Sequence, residues 1–222
     1  DLLKGRYHKS FKKSFTIASH HYDFLSLPMA HIAKRFRSDY QEFQLIETTT
    51  RKILKSVESF ESDLGIIYLN EDNVHILERS FKHMDLTFTP LGDFKTKIFL
   101  GRQHPLAKKK SLNLKDLEGY PQVRFRQESS GIHLTEDPLE VLPDQQVIYS
   151  NDRGSVMNLL CSSDSYASGL GIVNSFIKEI VLIPLKDSPK HTLGFVTNNK
   201  QKQSTIIQAF IEEIRDSLLP HH

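Results

Sequence analysis

What constrains this chain most is a rhythm of two alternating patterns. Short apolar runs rich in β-branched residues are separated by longer stretches whose apolar residues recur at three- and four-residue spacing. The first pattern suits buried strands and the second amphipathic helices. Their alternation calls for an α/β fold with a largely parallel sheet and helices on its faces. Residues 14–19 (SFTIAS) are the first expected strand, followed by helical spacing in Leu25, Met29, Ile32, Ala33 and Phe36. Residues 43–47 (FQLIE) and 64–69 (LGIIYL) are the next strands. Between them Thr50 stands at a helix N-cap position ahead of Ile53, Leu54 and Val57.

A second series repeats the scheme. Strand-like stretches at 86–91 and 97–101 and a short polar helix at 112–117 lead into it. Strands are then expected at 123–126 and 146–149, helices near 132–142 and at 156–161, and strands at 170–173 and 180–185. A strand-like stretch at 191–197 and an amphipathic helix at 205–219, with Ile206, Phe210, Ile214 and Leu218 on one face, close the chain. Two such Rossmann-like lobes joined by crossing strands make a clamshell, and ligands bind in clefts of that kind. The expected division is 14–97 plus 197–219 for the first lobe and 98–196 for the second. Residues 1–13 precede the fold, and 220–222 are a tail of tag-like composition.

A formal net charge of +2 is too balanced for a chain that grips nucleic acid by itself, which needs a clustered basic excess. The single cysteine, Cys161, has no internal disulfide partner and fits a reducing compartment. It is expected as a small core residue on a helical face shared with Met157 and Leu160. No apolar run approaches the ~20 residues that span a bilayer. Residues 1–13 are basic and lack the apolar centre of a signal peptide, so a cytoplasmic setting away from membranes is expected.

Residues 101–121 read GRQHPLAKKKSLNLKDLEGYP. The HPLA segment at His104–Ala107, then Leu112, Leu114, Asp116, Leu117 and Pro121, resembles the effector-binding domain of LysR-type transcriptional regulators. Leu27–Pro28 ahead of Ala33, Arg35 and Phe36, the pair Asp63–Leu64, and GLGIV from Gly169 to Val173 are similar to other parts of that family, in the same order. The resemblance runs from Ser14 to Leu218 and departs from the pattern in a longer stretch at 152–168. It implies a clamshell like the type II periplasmic solute-binding proteins, with the family's winged helix-turn-helix lying outside this chain. It also implies a small-molecule effector, a homodimer or homotetramer, and contact with DNA only through the missing module.

Loops leaving strand ends and helix N-termini line the cleft of a clamshell, and their unpaired N–H groups suit anions. Ser19, His20 and His21 follow the first strand, and Thr48, Thr49 and Thr50 follow the second. The resemblance places small hydroxyl residues near Ser19 and His21 and a ligand-facing threonine at Thr50. In the second lobe Gln127, Ser129 and Ser130 open one loop, and Asn151 and Asp152 end a strand. These eleven residues are the candidate ligand contacts.

Catalysis needs converging acid–base groups or a nucleophile–base pair. Ser19 with His21 is the only local candidate, and two residues apart on one loop they are poorly placed to act together. No HExxH, CxxC or nucleotide fingerprint occurs, and no metal or cofactor is expected. The expected function is therefore sensing of a small polar or acidic metabolite that controls transcription through rearrangement of an oligomer. The alternative is a solute-binding protein for transport.

Overall fold

A computed structural model describes residues 13–127, 134–171, 178–202 and 204–218. The first lobe is built on strands β1 (Ser14–Ser19), β2 (Glu42–Glu47), β3 (Leu64–Leu69), β4 (Leu86–Lys95) and β10 (Lys190–Asn198), in the order β2-β1-β3-β10-β4. β1 pairs in parallel with β2 and β3, and β10 runs antiparallel between β3 and β4. Alternate residues of the central strands face opposite cores, as the two-residue period of a strand requires. Phe15, Ile17, Ile66 and Tyr68 pack toward Ile32 of helix α1 (Ser26–Arg35) and toward Phe210 and Ile214 of helix α5 (Thr205–Leu218). Ala18, Ile67 and Val196 pack on the other face, toward Ile53 and Val57 of α2 (Thr50–Glu58) and Leu77 and Phe81 of α3 (Val74–Met84).

The second lobe contains β5 (Lys97–Gly101), β6 (Gln122–Phe125), β7 (Val147–Ser150), β8 (Tyr166–Gly169) and β9 (Ile180–Pro184), ordered β7-β6-β8-β5-β9. Helix α4 (Arg153–Ser162) lies against it so closely that a Cβ on Gly101 would collide with the Leu160 carbonyl. The HPLA segment serves the core here. Leu106, Leu112 and Leu117 are buried together with Ile98, Tyr166 and Ile183. His104 Nδ1 accepts from the Leu106 N–H at 3.0 Å, so its Nε2–H donates to the Asp164 carbonyl at 2.9 Å. Burial lowers its pKa and favours that neutral ring.

The lobes are joined where β4 passes into β5 and β9 returns to β10. The Thr96 N–H donates to Ser188 Oγ at 2.7 Å, and its hydroxyl meets His191 Nε2 at 2.8 Å, all three residues being buried. β10 lies wholly in the first sheet, so the return crossing precedes Lys190 instead of falling near 197, where the sequence placed it.

Four other expectations change. Residues 135–142 form no helix, because Pro138 removes an amide donor and a second proline follows at 143; the start of that expected helix lies outside the described residues. The strand expected at 170–173 is β8, at 166–169, which begins within the stretch that departed from the family pattern; its expected end at Val173 is also outside the described residues. The helix expected at 112–117 is a single 3-10 turn, Leu114–Leu117, closed by a capping box between Asn113 and Asp116. Cys161 is exposed on α4, with Val156 and Leu160 taking the buried face. Helix α3 had no counterpart in the sequence reading. Among the described residues no helix is long and apolar enough to cross a membrane.

Candidate functional site

The loops after β1 and β2 and the start of α2 face the second lobe, as the topology of parallel strands dictates. His20 and His21 send their rings to different places. His20 is buried, with Nε2 2.8 Å from the Thr50 hydroxyl and Nδ1 3.2 Å from the Tyr22 hydroxyl. Thr50 donates its only hydroxyl proton to the Leu134 carbonyl, at 2.9 Å. It must therefore accept from His20 Nε2–H, which leaves Nδ1 to accept from Tyr22. Burial lowers the His20 pKa and keeps this ring neutral, outweighing the nearby charge of Glu136.

His21 turns the other way and stacks on Phe125 of β6, ring centroids 4.0 Å apart. Its backbone N–H donates to Glu136 Oε1 at 2.5 Å, and its Nδ1 donates to Oε2 of the same carboxylate at 2.8 Å. Burial alone would lower its pKa. The hydrogen bond and charge of Glu136, with Glu47 and the Asn151 carbonyl, more than reverse this and hold it above the ordinary value. A second ion pair between the lobes joins Glu47 to Arg153 at 3.0 Å.

Behind Glu136 lies a buried polar knot. Arg124 donates to the Leu139 carbonyl and to Thr135 Oγ1, the latter at 3.2 Å, and its Nε lies 3.7 Å from Asp137 Oδ2. Burial pushes the Asp137 carboxyl up to about 8 against the pull of Arg124. Tyr68 adds a hydrogen bond from its hydroxyl to the Thr135 carbonyl at 3.0 Å.

Two spaces flank this contact, and His21 borders both. One is an enclosed cavity of about 50 Å³ among His21, Phe99, Glu136, Arg153, Met157 and Gly169, with room for a few waters only. The other is an open groove of about 820 Å³ lined by Glu47, Thr48, Thr49, Lys52, Arg126, Gln127 and Asn151. Thr49 is the N-cap residue of α2 but its side chain makes no cap bond. Thr49 Oγ1 and Gln127 Nε2 are both shielded from solvent without a hydrogen-bond partner among the described residues.

The sequence candidates thus divide. Thr48, Thr49, Gln127, Asn151 and His21 meet at the groove. Thr50 is the first helical residue and not the cap, and together with His20 it is consumed by internal hydrogen bonds. Ser19 is buried with its hydroxyl donated to the His20 carbonyl at 2.7 Å, so it forms no pair with His21. Asp152 caps α4, accepting from the Ser155 N–H at 2.6 Å. Ser129 and Ser130 lie outside the described residues. Tyr68, Arg124, Glu136, Asp137 and Arg153 escaped the sequence reading; the acidic pair Glu136–Asp137 directly ahead of Pro138 was the one local hint that this segment is something other than helix surface.

Two five-stranded sheets joined by a double crossing, with a cleft between them, define a clamshell of the type II periplasmic-binding-protein class. The model of the LysR substrate binding domain matches residues 14–219, and the chain belongs to that family. No curated protein matches it in sequence. Among solved structures, the reduced OxyR regulatory domain of Pseudomonas aeruginosa is 15% identical with a TM-score of 0.65, covering 91% of this chain and 97% of that one. The regulatory domain of MetR, a LysR family regulator from N. meningitidis, is 14% identical with a TM-score of 0.61, covering 92% and 93%. A full-length OxyR variant from P. aeruginosa is 15% identical with a TM-score of 0.67, covering 92% of this chain and 67% of its own. At these identities the likeness is one of fold.

Proposed function

We propose that this domain senses a small anionic metabolite in the groove between its lobes and passes the signal on through a change in lobe packing. The observation that carries the reading is the pair of shielded, unpartnered polar atoms, Thr49 Oγ1 and Gln127 Nε2, on two residues that line a groove also bearing Lys52 and Arg126. Buried polar groups without partners are uncommon and point to a group supplied from outside the chain. The N-terminus of α2 adds the partial positive charge that suits an anion. Family membership supports the same role, and so does the two-lobed architecture, in which a ligand touching both lobes favours one arrangement over another. In the full regulator that arrangement would alter a homodimer or homotetramer, with the α1 surface around the exposed Leu27 as a contact and a separate module holding DNA.

A thermal-shift screen of small carboxylates and phosphorylated metabolites tests this. A ligand at 100 times its Kd adds ~2.7 kcal/mol of stability. The expected result is a hit abolished by Lys52→Ala with Arg126→Ala and by Gln127→Ala. A hit indifferent to all three substitutions, or none across the screen, overturns the assignment to this groove.

A further inference from the structure

Beside the groove, the first lobe presents four donors to the second: the His21 N–H, the His21 ring, and the hydroxyls of Thr50 and Tyr68. All four are taken by three consecutive residues, at the Leu134 carbonyl, the Thr135 carbonyl and both oxygens of the Glu136 carboxylate. We propose that His21 forms a carboxylate-binding site and that the chain carries its own occupant, with Glu136 standing where the carboxylate of a small ligand would sit. This rests on the sensing reading and extends it from an anion in the groove to a carboxylate held behind it.

The geometry is that of ligand capture. One carboxylate oxygen takes a backbone amide and the other takes the adjacent ring, a two-point grip fitted to a planar carboxylate and charge-assisted on both sides. Phe125 covers the face of the ring, and both His21 and Glu136 side chains are below one-tenth exposed. The occupying segment lies 115 residues from His21 in sequence and belongs to the other lobe. Its ends are fixed separately: Leu134 packs on the core of the first lobe and Leu139 on that of the second. Pro138 keeps the intervening backbone out of a helix, so the carbonyls of Leu134 and Thr135 stay available to Thr50 and Tyr68.

The enclosed cavity next to Glu136 has room for a few waters and none for a metabolite. A carboxylate enters only where the Glu136 side chain leaves. A tethered group competes at an effective concentration in the millimolar range for a short flexible connection. Affinity for a free carboxylate is reduced by the fraction of time the site is occupied from within.

The test uses this domain with acetate as probe, against chloride at matched ionic strength. Glu136→Ala is expected to melt below the parent chain and to regain stability saturably with acetate. Its half-saturating concentration should lie at least about tenfold below any response of the parent chain. Adding His21→Ala to Glu136→Ala should abolish the response. An acetate effect equal in parent and variant, or no effect beyond that of chloride in the variant, overturns the proposal. Should Glu136→Ala fail to fold, Glu136→Gln and the His21 amide resonance decide. That proton should appear far downfield in the parent and move upfield in Glu136→Gln; an amide at an ordinary shift in both sinks the idea. A metabolite bound in the groove with no acetate response in Glu136→Ala leaves the sensing reading standing without this one. Acetate recovery with no metabolite found leaves the reverse.

Discussion

The two halves of the cleft are built from the same parts and have opposite fates. On one side the loop after β1, with Thr50 and Tyr68, is met group for group by residues 134–136 of the second lobe. On the other, Thr49 and Gln127 keep shielded polar atoms without partners beside two basic residues. Neighbouring threonines, 49 and 50, fall on opposite sides of this division. Residue type and position at a strand end therefore do not identify a ligand contact. What separates an open site from a filled one is whether each donor has already found an acceptor within the chain.

The sharpest way to break the comparison is to loosen the filled half. Arg124→Met keeps the volume of the side chain, leaves Asp137 buried without its counter-ion, and leaves the Leu139 carbonyl only the long Gln122 contact of 3.4 Å. Removing one member of a buried pair costs about 3–5 kcal/mol. Asp137, already pushed up to about 8, can discard its charge by keeping a proton, so the loss should be smallest in acid and grow as pH rises. Urea unfolding at two pH values measures this. A loss under about 1 kcal/mol at pH 8 would mean the knot behind Glu136 is not packed as described.

Much of the fold was legible. Residues 14–19 and 64–69 alternate or run apolar in lengths that only strands take, and both are strands in the first sheet. Helix α3 was missed because its polar lead-in, Asn70 to Asn73, looks like an extended loop; it is in fact a turn in which Asn70 and Asn73 hydrogen-bond each other's backbone. Of the site, the groove was visible as strand-end loops, since Thr48, Thr49, Gln127 and Asn151 sit where local topology puts them. The filled half was not. Thr50 reads as a cap from its neighbours, and only the folded chain brings Leu134 to its hydroxyl. Nothing near Glu136 in sequence announces His21, and the helix expected over that segment would have turned its carboxylate elsewhere.

Protonation sharpens the comparison in a second way, with a smaller effect. His20 and His21 are adjacent but shifted in opposite directions. His21 faces Glu136, with Glu47 and the Asn151 carbonyl nearby and His20 beside it, and its pKa is raised. Its contribution is complete below the ordinary 6.5 and is lost as pH climbs through the raised value. His20, lowered by burial, contributes as a neutral ring above 6.5, and that contribution is lost as pH falls through the lowered value. Unfolding free energies from pH 5 to 9 should therefore show His21→Asn removing a slope on the alkaline side and His20→Asn removing one on the acid side. Equal slopes in the two variants would mean the rings share one environment, against the division of the cleft.

The smallest effect on stability is expected at Thr49, and its smallness is the point. Thr50→Val removes a donor to Leu134 and an acceptor for His20, leaving both buried and unmatched, at about 1–3 kcal/mol. Thr49→Val removes a hydroxyl that has no partner to lose, so the change should stay within ±0.5 kcal/mol or favour the fold. The order reverses for ligand response. A ligand in the groove meets Thr49 directly, and Thr50 only through the packing it supports. Thr49→Val should thus leave the melting point unchanged while weakening the metabolite-induced shift at least tenfold in concentration. If Thr49→Val destabilises as much as Thr50→Val does, its hydroxyl has an internal partner after all, and the groove loses the unsatisfied group on which its reading as a binding site depends.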